Sequence, residues 1–262
     1  MPRMARSAQK QPAWSRDELQ ANPHASDAKA DKVRSMFAAI APSYDLNNRL
    51  HSMGIDQRWR KNVVRLANVA PADRVLDMAC GTGDLTRALA LKEPAKVVGG
   101  DFTPEMLEIA RTKRSHETDK AIEYLHADAM ALPFEDDSFD VLTIAFGIRN
   151  VSDVPKALRE FARVLAPGGR LLILEFDRPR FAPIAWASDF YTKKIMPVTA
   201  SIISRDRSGA YHYLPKSVES FLSREDLSRE ISDAGFSDLT LHTMSFGLSV
   251  CYRACVTPAD EA

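Results

Sequence analysis

The spacing of apolar residues changes along the chain, and the change separates two parts of the predicted fold. Near the N-terminus, Val33, Met36, Phe37 and Ile40 recur at helical spacing, and Pro42 ends the predicted helix. A second helix is predicted over residues 55–69. From residue 74, short apolar runs alternate with helical patterns.

These runs predict five strands, over residues 74–79, 96–101, 122–127, 139–146 and 170–176. Helices are predicted between them over residues 84–91, from Pro104 onward with Thr103 as N-cap, and over 154–165 before Pro167-Gly168-Gly169. Such alternation is typical of a doubly wound parallel sheet with helices on both faces. A helix over 224–234, capped by Ser223, and strands over 239–243 and 248–255 then predict a seven-stranded α/β sheet that ends in an antiparallel hairpin.

Composition and length favour one soluble domain over residues 30–262, with N-terminal helices in 30–70. Apolar residues make up 45% of the 262 residues, enough for a large core. Residues 1–29 are polar and are predicted to form a flexible N-terminal arm.

Charge, cysteine content and hydropathy narrow the classes of protein. Lys and Arg together equal Asp and Glu at 35 each, so the chain has no overall basic field and no nucleic-acid partner is predicted. No apolar run has the length of a membrane span, and no signal peptide is recognisable. Cys80, Cys251 and Cys255 lack metal-ligand spacing, so a cytoplasmic protein without a metal is expected.

Candidate ligand-binding residues follow three successive strands. The loop after the first strand contains Asp77, Gly81 and Gly83, Asp101 ends the second strand, and Asp128-Ala129 follows the third. Ligands of open α/β sheets bind at the carboxyl ends of the strands. Each residue alone could serve a turn or a helix cap, but their joint placement predicts a nucleoside-binding site, with Asp101 on the ribose and Asp128 near the adenine.

Two cofactors compete for this site. A dinucleotide places its pyrophosphate on the helix N-terminus and needs a third glycine, where this chain has Thr86. Asp77 and Asp84 would repel a pyrophosphate. They favour S-adenosylmethionine, whose sulfonium and ammonium groups are cationic, so the sequence predicts a methyltransferase over a dinucleotide-dependent enzyme.

Several segments resemble the ubiquinone/menaquinone biosynthesis C-methyltransferases. They are Asp77-Met-Ala-Cys-Gly-Thr-Gly-Asp84, Leu132-Pro-Phe-Glu-Asp-Asp-Ser-Phe-Asp140, Phe146-Gly-Ile-Arg-Asn-Val151, Arg163-Val-Leu-Ala-Pro-Gly-Gly-Arg170 and Tyr211-His-Tyr-Leu214. The resemblance covers residues 33–253 and implies a Rossmann-like class I S-adenosylmethionine-dependent fold. The chain departs from the family pattern at Asn47, His51, Asp56 and Ala145, and after Leu214.

The resemblance implies C-methylation of a prenylated hydroquinone. Demethylmenaquinol is the favoured acceptor; the benzoquinol precursor of ubiquinone, or O- or N-methylation of another small molecule, stays open. It also implies which residues contact the methyl donor. The expected cofactor-binding residues are Asp77, Gly81, Thr82, Gly83, Asp101, Asp128, Ala129 and Ala145.

Arg149, Asn150 and Tyr44 are the candidate catalytic residues. Arg149 follows the fourth strand, and its charge could stabilise a phenolate or hold a water. An ion pair with Asp153, four residues on, is an equally weighted alternative. Other candidates are less favoured: tyrosines that could line a ring pocket (Tyr191, Tyr211, Tyr213) and histidines that could act as bases (His51, His212).

Residues 177–222 are predicted to form a lid over the acceptor. Ile184, Ala187, Tyr191 and Ile195 share one helical face, and Lys193 and Lys194 lie beside it. One interpretation is an apolar entry for a prenyl tail with peripheral contact at the inner face of the membrane. The alternative is a helix that packs on the sheet.

Two other function classes and the oligomeric state stay open at this point. An NAD-dependent oxidoreductase is disfavoured by Thr86 and the acidic loop, and a non-catalytic binding module by the intact carboxylates. The sequence is compatible with a homodimer but does not decide the oligomeric state.

Overall fold

The computed structural model describes residues 13–14, 23–25, 28–113, 121–196, 198–199 and 210–257. A seven-stranded sheet has the strand order β3-β2-β1-β4-β5-β7-β6. The strands are β1 (Arg74–Met78), β2 (Lys96–Asp101), β3 (Ile122–His126), β4 (Phe139–Ala145), β5 (Leu165–Phe176), β6 (Phe236–Met244) and β7 (Ser249–Val256). The first five are parallel, and β7 pairs antiparallel with both β5 and β6. The predicted fold class is confirmed.

Helices precede the sheet and connect its strands. In the described residues they are α1 (Lys29–Ile40), α2 (Tyr44–His51), α3 (Ile55–Ala67), α4 (Asp84–Ala90), α5 (Pro104–Thr112), α6 (Val154–Val164), α7 (Ala182–Phe190), α8 (Ala210–Glu219) and α9 (Arg224–Asp233). A π-helical turn, Tyr191–Ile195, continues α7. Short 3₁₀ turns lie at Pro23–Ala25, Ala41–Ser43, Ile148–Asn150 and Ser245–Gly247.

The central strands β1 and β4 carry buried apolar residues on both faces. In β1, Leu76 and Met78 belong to one core cluster, and Val75 belongs to the other. In β4, Leu142 and Val141 divide between the faces in the same way. Side chains of a strand alternate between its faces, so continuous apolar runs produce a three-layer domain.

Of the two helix caps predicted from the sequence, Ser223 makes the capping hydrogen bond and Thr103 does not. The backbone N–H of Asp226 donates to Ser223 Oγ at 3.0 Å, which confirms the cap of α9. Thr103 is the N-cap residue of α5, but its side chain makes no capping bond. Asp153 caps α6 by accepting from the Lys156 N–H at 2.9 Å.

The structure differs from the predicted secondary structure in several places. Strand β5 begins at Leu165 rather than at residue 170, because Leu165 pairs with Phe139 before a register shift between β4 and β5. Strand β6 begins at Phe236 rather than at residue 239. Helices α2 and α8 were not predicted. The apolar residues Leu46 and Leu50 of α2 are exposed in the structure.

Described residues within 1–29 pack against the domain rather than extending from it. Trp14 and Lys29 are each 2% exposed, and α1 already begins at Lys29. The Lys29 ammonium donates to the carbonyl oxygen of Val151 at 2.5 Å. For these residues the expectation of a free arm does not hold, whereas the domain boundary itself stays a prediction.

Among the described residues, no helix is long and apolar enough to cross a membrane. The same residues contain no cluster of His, Cys, Asp and Glu that could hold a metal ion. The three cysteines are free thiols, and burial raises the pKa of the Cys80 thiol well above its usual range. Cys80 is therefore a neutral thiol at neutral pH.

Candidate active site

Two cavities lie at the carboxyl ends of the strands, where the strand order reverses between β1 and β4. The smaller cavity has a volume of about 110 Å³ and the larger about 420 Å³. Phe37, Tyr44 and Phe146 line both, so the cavities share a wall. Such a crevice is where open α/β sheets bind their ligands.

The smaller cavity collects most of the predicted cofactor residues. Those that line it are Gly81, Asp101, Asp128, Ala129 and Ala145, and Asn150 lines it as well. They come from the ends of three strands and from the loop after β1. The expectation that these strand ends converge is met by the geometry.

Asp101 is held rigidly at this cavity. Its Oδ2 accepts from the Gly81 N–H and its Oδ1 from the Thr103 N–H, both at 2.8 Å. Burial raises the pKa of Asp101, and these two backbone bonds oppose that effect. The Thr103 side chain also hydrogen-bonds to this carboxylate and likewise opposes the effect of burial. Because Asp101 lines the smaller cavity, its carboxylate is an acceptor for hydroxyl donors of a ligand there.

The glycine loop needs glycine at defined positions. Gly81 and Gly83 have φ values of +57° and +81°, which L side chains rarely adopt. A Cβ at Gly83 would lie 2.5 Å from Tyr124 Oη. Gly83 therefore allows the loop to pack closely against Tyr124, whereas Gly81 lines the smaller cavity.

Asp77 and Thr82 lie outside the residues that line the smaller cavity. Asp77 is 1% exposed and accepts hydroxyl hydrogen bonds from Thr86 at 2.6 Å and Thr143 at 2.7 Å. Burial raises its pKa to about 6. Asp77 thus supports the loop from beneath, and its direct contact with a cofactor stays a prediction.

The hydroxyl of Thr82 is engaged within the protein. It donates to Asp45 at 2.6 Å and accepts from Lys113 Nζ at 2.9 Å. The same ammonium donates to Asp84 at 2.8 Å and forms an ion pair with Asp45. Burial raises the pKa of Asp84, but Lys113 outweighs this and lowers it overall. Sequence reasoning missed Lys113, which neutralises the acidic loop on its outer side.

The larger cavity is mainly apolar with a buried cation in its wall. Its apolar and aromatic lining includes Met36, Ile40, Ile55, Trp59, Phe146 and Phe176. Arg149 lines it and is 5% exposed. Its Nη1 donates to Glu175 Oε1 at 2.7 Å and to the Phe146 carbonyl at 2.6 Å.

The alternative ion pair between Arg149 and Asp153 is wrong. Asp153 caps α6, and the partner of Arg149 is Glu175, near the end of the adjacent strand β5. Glu175 is 2% exposed, and burial raises its pKa while the Arg149 charge lowers it. Sequence reasoning missed Glu175, although a carboxylate within a buried apolar strand was an available signal.

Asn150 and Tyr44 lie where the two cavities meet. Asn150 Nδ2 donates to the Phe146 carbonyl at 3.2 Å, and its Oδ1 accepts from Tyr213 Oη at 3.1 Å. Tyr44 lines both cavities, and burial raises its pKa, so its hydroxyl is a neutral donor. The three candidate catalytic residues, Arg149, Asn150 and Tyr44, therefore lie close to the wall that the two cavities share.

Some of the less favoured tyrosines and histidines line the larger cavity, and others do not. Tyr191 and Tyr213 line the larger cavity, as does His51, which forms a 3.1 Å hydrogen bond with Tyr191. His212 is exposed and is not part of the lining. The side chain of Tyr211 lies outside the described residues, as do residues 200–209 of the predicted lid.

The rest of the predicted lid is described as α7 and the following turn. Ile184, Ala187 and Tyr191 line the larger cavity, whereas Ile195 does not. No residue of α7 is buried, so this helix does not pack on the sheet as a core helix would.

Comparison with known proteins identifies relatives over most of the chain. A model of the ubiE/COQ5 methyltransferase family matches residues 25–256. A demethylmenaquinone methyltransferase of Thermus thermophilus is 47% identical over 83% of this chain and 98% of its own length. A ubiquinone/menaquinone biosynthesis C-methyltransferase, UbiE, of Cronobacter sakazakii is 40% identical over 87% of this chain and 92% of its own length.

Solved structures support the fold independently. An S-adenosylmethionine-dependent methyltransferase from Thermotoga maritima superimposes with a TM-score of 0.60 at 20% identity, over 85% of this chain and 99% of that one. Another, from Aquifex aeolicus, gives a TM-score of 0.56 at 20% identity, over 76% and 89% of the two chains. At such identities the likeness shows the shared fold alone.

Proposed function

The chain belongs to the ubiE/COQ5 methyltransferase family, and from this premise we propose that it C-methylates a prenylated hydroquinone with S-adenosylmethionine as donor. The favoured acceptor is demethylmenaquinol, which yields menaquinol. The observation that carries the proposal is the buried Arg149, which pairs with Glu175 and lines a mainly apolar cavity, beside a smaller cavity that is lined by two carboxylates.

The smaller cavity fits the methyl donor by its chemistry. The Asp101 carboxylate in its lining is an acceptor that suits the ribose hydroxyls, and Asp128 lies in the same lining. Gly81 brings backbone to the cavity without a Cβ. When bound, S-adenosylmethionine supplies a methyl group already activated by its sulfonium charge, so no metal is required.

A dinucleotide fits this site less well. Thr86 occupies the third glycine position, where its hydroxyl donates to Asp77, so the loop lacks the third glycine of a pyrophosphate site. The missing glycine disfavours a nicotinamide nucleotide.

The larger cavity fits a hydroquinone ring. Its lining includes aromatic and aliphatic side chains that suit the ring, and the buried guanidinium of Arg149 places a permanent positive charge beside them. That charge stabilises the anion formed when a ring hydroxyl is deprotonated, and the anion directs electron density to the neighbouring ring carbon. Glu175 and the Phe146 carbonyl hold Nη1, so the orientation of the guanidinium is fixed before the acceptor binds.

Residues near the larger cavity support peripheral contact with a membrane as part of the same proposal. Phe181, the N-cap residue of α7, and Trp186 and Phe190 on the helix are 63%, 72% and 51% exposed. Other residues of α7 line the cavity. Residues 178–195 contain four basic and one acidic residue. Exposed aromatic residues with basic neighbours suit the interface of an anionic bilayer, where prenylated acceptors reside.

The proposed function is tested by incubating the purified protein with labelled S-adenosylmethionine and either short-chain demethylmenaquinol or the matching benzoquinol. Mass spectrometry should show methyl on a ring carbon of the naphthoquinol. Label on the benzoquinol alone would change the assigned acceptor. Absence of label from both quinols, with donor binding intact, would point to another small-molecule acceptor and overturn the proposal.

A further inference from the structure

Trp14 lies outside residues 25–256, the stretch that the family model matches, yet it is buried to 2% exposure. Its ring stacks on that of Tyr213 with centroids 4.9 Å apart and planes 20° from parallel. The ammonium of Lys32, on α1, lies 5.2 Å from the centroid of the Trp14 ring. A residue beyond the family region is thus packed against a side chain of the active site.

Tyr213 connects this packing to both cavities. Its ring lines the larger cavity, and its hydroxyl donates to Asn150 Oδ1 at 3.1 Å. Asn150 lines the smaller cavity and also donates to the Phe146 carbonyl. The position of the Tyr213 ring therefore affects the wall that separates acceptor from donor.

Trp14 also packs against three helices that are distant from one another in sequence, α1, α5 and α8. Trp14 shares a core cluster with Met36 and Ile40 of α1, Met106 of α5 and Ala210 of α8. Helix α8 carries Tyr213 and also Ser217, whose hydroxyl accepts from Arg149 Nε at 3.4 Å. Packing at Trp14 therefore reaches Arg149 through α8.

We propose that Trp14 is a positioning residue for methyl transfer: by stacking on Tyr213, it fixes the Tyr213–Asn150 hydrogen bond at the wall between the two cavities. The choice of demethylmenaquinol as acceptor in the test rests on the proposed function, but the positioning role does not. Loss of the Trp14 ring should mainly weaken acceptor binding, because Tyr213 lines the larger cavity directly. It should weaken donor binding less, through Asn150.

The test compares Trp14→Ala with Trp14→Phe. With short-chain demethylmenaquinol, Trp14→Ala should raise the acceptor KM about three- to tenfold, in line with the strength of aromatic pairs, and change kcat less than about twofold. By calorimetry, its donor Kd should rise about two- to threefold. Trp14→Phe should restore both constants to within about twofold, because the Trp14 indole N–H has no hydrogen-bond partner in the described part of the chain.

Phe236→Ala is the matched control for general loss of stability. Phe236 is a buried aromatic residue at the start of β6, at the opposite edge of the sheet from the cavities. It should lower Tm and leave KM and donor Kd unchanged at a temperature where each variant is folded. The positioning role is overturned if Trp14→Ala also changes only Tm, or if Trp14→Phe does not restore KM and donor Kd.

Failure of the proposed function would be seen separately. If the wild-type protein methylates neither quinol, the acceptor assignment fails, and the donor Kd values alone decide the role of Trp14. Weaker donor binding in Trp14→Ala, restored in Trp14→Phe, would still support it, whereas equal donor Kd in all three proteins would overturn it.

Discussion

Arg149 donates from Nη1 to Oε1 of Glu175 at 2.7 Å, and the two side chains are 6% and 2% exposed. Arg149 lines the larger cavity, whereas Glu175 does not. Among the described residues, Glu175 Oε2 has no hydrogen-bond partner. Nη1 of the guanidinium is thus fixed by the protein, while Arg149 contributes to the wall of the cavity.

Removing the Glu175 charge should impair catalysis more than donor binding. Glu175→Gln leaves the buried Arg149 cation uncompensated, and breaking such a pair costs about 3–5 kcal/mol of folding stability. We expect a lower Tm and a kcat for the quinol reduced about tenfold or more, with donor Kd changed less than about twofold. Steady-state kinetics and calorimetry measure these effects.

Glu160→Gln provides the control for Glu175→Gln. Glu160 also pairs with an arginine, Arg163, at 2.8 Å, but that pair is partly exposed and belongs to neither cavity lining. Its kinetic constants should match those of the wild type. Equal kcat in Glu175→Gln and Glu160→Gln would contradict the role assigned to the buried pair.

Asp101→Ala should weaken donor binding. The substitution removes the acceptor positions assigned to the ribose and leaves the Gly81 and Thr103 N–H groups without their carboxylate. Donor Kd should rise about 5- to 150-fold, corresponding to 1–3 kcal/mol. Asp140→Ala is the control, since Asp140 pairs with Arg74 at the opposite ends of their strands. Unchanged donor affinity in Asp101→Ala would remove the ribose assignment.

The fold was predictable because its signals are local. Each parallel strand contains a short apolar run. Gly81, Asp101 and Asp128 lie at or just after the ends of three of these strands, so the parallel topology brings them together. Helix α2 was not predicted in part because it makes contacts that are distant in sequence, such as the ion pair of Asp45 with Lys113.

The partners of the site residues depend on tertiary contacts that no local pattern encodes. Glu175 meets Arg149 because β5 lies beside β4, and Tyr213 meets Asn150 from a helix 63 residues further along the chain. Arg149 also had a closer candidate in Asp153, at favourable helical spacing. In the structure, the Asp153 carboxylate caps α6 instead of pairing with Arg149.

Asp77 should make stability depend on pH in the acid range. Burial raises its pKa from 3.8 to about 6, so the native state binds more protons than the unfolded state between these values. The contribution of Asp77 to stability is therefore fully present below about pH 4 and is lost as pH rises through 6, by about 3 kcal/mol in total.

Asp77→Asn isolates this effect because asparagine does not titrate. Denaturant unfolding at several pH values should show that the wild type loses about 3 kcal/mol relative to the variant between pH 4 and 7. A constant difference across this range would mean that Asp77 keeps an ordinary pKa, and would contradict the burial effect described here.

Trp186 and Phe190 should anchor the protein to anionic bilayers. Their rings stack 5.8 Å apart on the exposed side of α7, and burial of two aromatic side chains in the interface favours binding. The double substitution Trp186→Ser and Phe190→Ser should reduce co-flotation with vesicles that contain phosphatidylglycerol about tenfold or more. It should leave kcat on a short-chain quinol unchanged, because neither residue lines the larger cavity.

Leu91→Ser is the control, since Leu91 is 54% exposed at the end of α4 away from both cavities. If the double variant floats as well as the wild type, α7 is not the membrane-contacting surface; if only a long-chain quinol is methylated more slowly, the same helix delivers the acceptor.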